Sequence, residues 1–216
     1  MPHWADCATG SGTRNSMDKI NKKFRWAVFV SGEGTNLQNF LDIEQTSLQC
    51  HTIVGIYADR QCRAIQRAQE AGKPVLILSP SSKEWEEKIF YFLKEHQANH
   101  LFLMGYMKIL TVEFLKKWGK RTINLHPSLL PHYRGLHAVE RAVAAGESTL
   151  GVTLHEVTAS LDAGPVLRQL QFLRDPAWSL QKIFDKVHEY ERKIVHDYLR
   201  ELERKSFGSG GLNGFI

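Results

Sequence analysis

The chain has 216 residues, with 28 Lys and Arg against 23 Asp and Glu, a formal charge of +5, and three cysteines. That length suits one large α/β domain with a substantial core, the modest and dispersed charge does not single out nucleic acid, and no apolar run nears the roughly 20 residues that span a bilayer. Cys7, Cys50 and Cys62 are widely spaced with no CxxC pair, which argues for free thiols over a disulfide framework or zinc site, and MPHWADCATG lacks the apolar segment of a secretory signal, so a cytoplasmic protein is expected.

Residues 1–23 mix Gly, Ser, Thr, Asn and charge without periodicity and read as a disordered extension; 24–207 read as a single domain, and 208–216 as a flexible tail. RWAVFVSG at Arg25 to Gly32 predicts a buried strand ending in a glycine turn, and Leu37, Phe40 and Leu41 give helical spacing over Thr35 to Gln45. HTIVGIYAD predicts a second strand over His51 to Asp59. A helix over Ala64 to Ala71 follows, ending at Gly72, then a strand at PVLIL, a helix over Lys83 to His96 and a strand in HLFLMGY at His100 to Tyr106. Thr122 to Leu136, TINLHPSLLPHYRGL, reads as a strand that gives out at two prolines and a glycine. GLHAVERAVAAGE predicts a short helix, Val152, Leu154 and Val157 mark a further strand, and ASLDAGP is a polar loop. Alternating strands and helices, with strands apolar on both faces, predict a doubly wound, mostly parallel sheet with helices on both faces. Ligands then bind beyond the carboxyl ends of the strands, where SGEGTN and NLHPS both sit.

The first glycine turn admits three readings. Gly32 and Gly34 begin a dinucleotide fingerprint with Asp59 at a plausible distance for a ribose contact, but Leu37 stands where the third glycine belongs. The pair also fits a tight turn alone, or a cradle in which the backbone N–H groups of Gly34, Thr35 and Asn36 open a helix N-terminus to a single phosphate. The second half carries more chemistry. Residues two apart on a strand share a face, so Asn124 and His126 project side by side at a strand end. Singly, each is an ordinary turn residue, and so is the Asp of DAG. Together with Asp162 they supply an oxyanion donor, a proton-transfer group and an orienting charge at one sheet edge.

NLHPSLLPHYRG followed by GVTLHEVTASLDAGPVL resembles the signature of folate-dependent formyltransferases, and the likeness extends over about residues 25 to 205 through SGEGTNLQ, MGYMKIL and the GLH at Gly135 to His137. The resemblance implies a formyltransferase-like fold with a Rossmann-type first half. It also implies direct transfer of a formyl group from N10-formyltetrahydrofolate to the amine of glycinamide ribonucleotide in purine biosynthesis, through a tetrahedral intermediate and without a metal. It carries the catalytic roles to Asn124, His126 and Asp162, with Asp162 raising the pKa of His126 so that the imidazolium donates to the developing oxyanion. It puts the nucleotide phosphate near Gly34, Thr35 and Asn36, and Glu191, with His188 one turn earlier, near the substrate amine. The pterin pocket falls to Met107, Lys108, Ile109 and Leu110, with Asn124, Val157 and Thr158. Lys108 stands where the family commonly has Arg, keeping the charge but losing the planar fork. The segment from Leu78 to Trp85 is short for the family, so a second basic folate contact falls on Lys83 or is absent. The implied partners are small molecules, with no nucleic acid and no membrane, acting on a monomer or homodimer. A formyltransferase of methionyl-tRNA would need a further C-terminal domain of roughly a hundred residues, for which the chain is too short. A transferase acting on an amino-sugar nucleotide, or a non-catalytic folate- or phosphate-binding homologue, remain the alternatives.

Overall fold

Seven strands form one sheet in the order β3-β2-β1-β4-β5-β6-β7, in a computed structural model that describes residues 23–208. Apart from Lys23 and Gly208 at the margins, the expected N-terminal extension and C-terminal tail lie outside the described residues. The strands β1 (Phe24–Val30), β2 (His51–Ala58), β3 (Val75–Ile77), β4 (His100–Leu103) and β5 (Thr122–His126) run parallel. The last two, β6 (Thr149–Glu156) and β7 (Val166–Leu173), run antiparallel to their neighbours. Between the strands lie α1 (Thr35–Thr46), α2 (Arg63–Glu70), α3 (Trp85–Glu95), α4 (Val112–Trp118) and α5 (Ala138–Ala144), and α6 (Leu180–Gly208) closes the described chain. No helix among the described residues is long and apolar enough to cross a membrane.

The sequence FRWAVFV builds β1 as a strand buried on both faces. Trp26, Val28 and Val30 enter one apolar core, while the alternate residues Ala27 and Phe29 enter another. The first core takes Leu37, Phe40 and Leu41 from α1 and Ile183, Val187, Ile194, Val195 and Leu199 from α6. The second takes Trp85, Ile89 and Leu93 from α3, spaced four apart, and Phe114 and Trp118 from α4. Each large side chain so buried contributes roughly 2–3 kcal/mol, which is what fixes helices to both faces.

Strand order reverses between β1 and β4, opening a crevice beyond their carboxyl ends. Ser31, just after β1, ties the crevice together by accepting the backbone N–H of Met107 at 3.0 Å. The antiparallel pairing of β5 with β6 sets Asn124 opposite His155 and His126 opposite Thr153. The loop joining β6 to β7 closes tightly, for a Cβ on Gly164 would lie 1.9 Å from the Glu156 carbonyl oxygen, so only glycine fits there.

The opposite end of the strands has a different chemistry. Phe24 stacks on the buried His51 with ring centroids 4.5 Å apart, Trp26 packs against His100 at 4.7 Å, and the Trp26 indole N–H donates to His51 Nδ1 at 3.0 Å. His51 Nε2 is buried without a hydrogen-bond partner. Burial pushes this imidazole down to about 4, against the raising influence of Glu203 and the Leu199 carbonyl and with some help from His100.

Candidate active site

Alternation along β5 sends Ile123 and Leu125 into the core with α1 and α6, leaving Asn124 and His126 on the other face. On β6 the same alternation buries Leu150, Val152 and Leu154 and turns Thr153 and His155 toward β5's polar side. Asp162 joins this face from the β6–β7 loop, in a left-handed backbone conformation with φ 46°. Few residues with a Cβ adopt that conformation readily, and Asp is among them.

The Asp162 carboxylate, with a side chain only 7% exposed, is the hub. Its Oδ2 accepts the Gly135 backbone N–H at 2.8 Å and lies 3.4 Å from His126 Nδ1. Its Oδ1 accepts from Asn124 Nδ2 at 3.3 Å and lies 3.5 Å from His155 Nε2. Burial alone would raise this carboxyl, but its contacts with His155, the Gly135 N–H and the His126 imidazole bring it to about 2. It is a carboxylate throughout the neutral range.

Backbone carbonyls set the two tautomers. His126 Nε2 lies 2.9 Å from the Tyr133 carbonyl oxygen, which cannot donate, so Nε2 carries a hydrogen and Nδ1 faces Asp162. His155 Nδ1 likewise donates to the Glu156 carbonyl at 2.8 Å, leaving Nε2 to accept from Asn124 Nδ2 at 3.2 Å. The sequence argument had Asp162 lifting the His126 pKa into an imidazolium. Burial instead holds His126 below its ordinary value, outweighing the raising effects of the Tyr133 carbonyl and Asp162. At neutral pH the resting imidazole is neutral, with an Nδ1 lone pair beside a carboxylate.

These groups line a cavity of about 440 Å³. Met107, Lys108, Ile109, Leu110, Asn124, Val157 and Thr158, the residues anticipated for the pterin, all line it too. Its rim is apolar and open, with Met107 60% and Ile109 70% exposed and Leu136 and Leu161 beside them. Lys83 is exposed in the turn before α3 and is not among the residues lining this cavity, which leaves the second basic folate contact absent from it; α3 begins at Trp85, two residues later than the sequence suggested.

The anticipated nucleotide residues make a second cluster outside that cavity. Gly34 caps α1 with φ 72°, followed by Thr35 and Asn36 in the first turn, which has no acidic residue. Asn36 Nδ2 donates to Glu191 Oε2 at 3.0 Å, and His188 Nδ1 lies 2.8 Å from the same oxygen. The glycine turn and α6 are therefore joined through a carboxylate that is 5% exposed. The hydrogen bond to Glu191 raises the His188 pKa against its partial burial. Asn36 Oδ1 is buried with no partner. Asp59, the candidate ribose contact, is buried and paired with Arg60 at 2.8 Å, and Leu37, where a third glycine would stand, is packed in the core.

His155 is the site residue that sequence reasoning missed. A strand with Val152 and Leu154 facing the core must turn Thr153 and His155 the other way, and that phase was available in TLHEV. What TLHEV could not give was its antiparallel pairing with β5.

Residues 24–199 match the formyl transferase family. The chain is 31% identical over 186 residues to the phosphoribosylglycinamide formyltransferase of Bacillus subtilis strain 168, covering 84% of this chain and 94% of that protein. It is 33% identical over 179 residues to the trifunctional purine biosynthetic protein adenosine-3 of Drosophila pseudoobscura pseudoobscura, covering 77% of this chain but spanning only 13% of that longer relative. The crystal structure of glycinamide ribonucleotide transformylase 1 from Geobacillus kaustophilus superposes with a TM-score of 0.77 at 34% identity, covering 84% of this chain and 99% of that one.

Proposed function

Because the chain belongs to the formyl transferase family, we propose that it transfers a formyl group from N10-formyltetrahydrofolate to the amine of glycinamide ribonucleotide, a step of purine biosynthesis. The observation that carries this reading is the closure of Asn124, His126 and His155 around the Asp162 carboxylate at the wall of an open, apolar-rimmed cavity. A flat pterin suits such a slot, and Lys108 at its edge suits the carboxylates of a folate tail. The folate supplies an activated formyl carbon whose oxygen gains negative charge as the amine attacks.

The chain's own groups then have separate tasks. His126 Nδ1 takes the proton that the attacking amine must lose, and returns it to N10 as the tetrahedral species collapses, the bond from carbon to N10 breaks and tetrahydrofolate leaves. Gaining the proton turns a lone pair facing Asp162 Oδ2 into an ion pair with that carboxylate, so Asp162 makes Nδ1 a stronger base at the moment it is needed. Asn124 offers its amide N–H to the developing oxyanion. In the resting site its Nδ2 donates to Asp162 at 3.3 Å and to His155 Nε2 at 3.2 Å, so one of these contacts is exchanged for the oxyanion while the other fixes the amide plane. Losing one such donor costs about 3 kcal/mol, or about a hundredfold in rate. The backbone N–H groups of Gly34 to Asn36 hold the ribonucleotide phosphate at the positive end of α1, and the Asn36 side chain ties that turn to Glu191 and His188, which serve the amine-bearing part of the nucleotide.

The test is a transfer assay of the purified protein with N10-formyltetrahydrofolate and glycinamide ribonucleotide, following release of tetrahydrofolate, alongside calorimetric titration with folate. Turnover with the ribonucleotide is expected. Folate binding without transfer to any amine would replace the enzyme by a binder, and turnover of an amino-sugar nucleotide alone would replace the acceptor.

A further inference from the structure

The loop after β5 holds an unusual backbone. Tyr133, Gly135 and His137 all have left-handed conformations, with φ 56°, 78° and 56°, and two of the three carry a Cβ. Such conformations persist only where their surroundings impose them. The loop is also where the reactive groups take their backbone partners. The Tyr133 carbonyl fixes the His126 tautomer, and the Gly135 N–H is the shortest contact of Asp162.

The grip on this loop comes from α5. Arg141 donates from Nε to the Leu136 carbonyl at 3.1 Å and from Nη2 to the Arg134 carbonyl, the two carbonyls that flank Gly135. Its guanidinium also lies over the Tyr133 ring, 5.9 Å from the centroid. Beyond the end of the same helix, Glu147 accepts the Tyr133 hydroxyl at 2.7 Å. Arg141 makes no salt bridge with a carboxylate among the described residues, so its hydrogen bonds go to the loop. A rigid fork with donors on two nitrogens matches two carbonyls of one bend in a way that a single ammonium does not.

We propose that Arg141 is a positioning residue: it holds the 133–137 loop in its left-handed course, and so keeps the Gly135 N–H on Asp162 and the Tyr133 carbonyl on His126. Its meaning for catalysis rests on the formyl-transfer reading above; its hold on the loop does not.

The experiment compares Arg141→Ala and Arg141→Lys with the wild-type full chain. It uses three readouts: hydrogen exchange of the Gly135 amide, NMR titration of the Asp162 carboxyl, and steady-state kinetics. In Arg141→Ala the Gly135 amide should exchange at least about tenfold faster as the loop opens locally. The Asp162 pKa should rise from about 2, since the lost N–H had been lowering it. The value of kcat should fall on the order of 10²-fold through misplacement, with the KM for the nucleotide within about threefold. Arg141→Lys, which keeps the charge, should restore less than half of the lost protection. Unchanged Gly135 exchange and Asp162 titration in a folded Arg141→Ala protein would overturn the proposal, as would full restoration by lysine. If Arg141→Ala does not fold, the same readouts on Arg141→Lys decide. Faster exchange with unchanged kcat would overturn the catalytic part. A wild-type protein without transfer activity would remove the proposed reaction and leave the exchange and titration results to judge the loop on their own.

Discussion

Asp162 illustrates how one side chain can serve several neighbours at once. Its two oxygens meet a backbone N–H, an amide and two imidazoles, so the isosteric change Asp162→Asn keeps the shape and removes the charge. We expect kcat to fall by roughly two to four powers of ten, as when the orienting carboxylate of a catalytic triad is neutralised. Nucleotide binding, measured by calorimetry, should survive. The carboxylate favours the imidazolium of His126, so its loss lets that pKa fall further. The limb of the kcat–pH profile governed by neutral His126 should therefore move to lower pH in the variant. A near-normal kcat in a folded Asp162→Asn protein would mean that this residue only shapes its turn. Lys108 is the contrasting case. It lies exposed at the cavity edge, where it can hold a folate tail without touching the reacting atoms. Lys108→Ala should raise the KM for folate while kcat stays within about tenfold. A collapsed kcat at unchanged folate KM would show that it belongs to the chemistry.

Among the elements, the parallel half was the more legible. Buried strands such as FRWAVFV and HTIVGIYA declare themselves by continuous apolar runs, and α1 by the spacing of Leu37, Phe40 and Leu41. Two elements escaped. The helix α4 is only seven residues long, and its signal is a cap: Thr111 Oγ1 accepts the Phe114 N–H at 3.0 Å. Its last turn carries Lys116 and Lys117, whose charge masks the buried Phe114 and Trp118 in the sequence. The edge strand β7 carries Arg168, Gln169 and Gln171, and a polar edge strand lacks the apolar run that marks an inner one. Of the site, Asn124, His126 and Asp162 could be assembled from spacing and resemblance, whereas His155 depends on a pairing register that no local pattern states. The glycine turn shows the same limit. Sequence reasoning makes Gly34→Val a probe of phosphate approach, but a Cβ at Gly34 would sit 2.6 Å from Ala64 Cβ at the start of α2. With φ already at 72°, this substitution should cost roughly 1–3 kcal/mol and lower Tm before any ligand is added. A wild-type Tm with a selective rise in nucleotide KM would instead return Gly34 to the phosphate alone. Asn36→Ala keeps every backbone N–H of the turn and removes its tie to Glu191, so it tests the side chain: the KM for the nucleotide should rise more than that for folate.

Across the whole molecule, the sheet carries two histidine groups at opposite ends of its strands. His51 is folded in as a neutral base, with His100, Glu203 and the Leu199 carbonyl around it. Its folded pKa of about 4 lies below the ordinary 6.5, so the unfolded chain binds the extra proton first. The contribution is complete above pH 6.5 and drains away as pH falls toward 4, by up to roughly 3 kcal/mol. His100 is likewise pushed down to about 4, chiefly by burial, and adds to the same loss. Thermal melts between pH 7.5 and 4.5 should show Tm dropping through this window, and His51→Asn should flatten the drop while lowering Tm at pH 7.5. A pH-independent Tm in the unaltered protein would remove the argument. Asp162, by contrast, protonates only near 2. The hub therefore keeps its charge through the window in which His51 and His100 weaken the fold, while His126, also held below its ordinary value by burial, adds to that loss from the catalytic face. A share of the tolerance of acid is then separate from catalytic power, and that share can be bred into this scaffold by repacking His51 and His100 without altering a single group in the cavity.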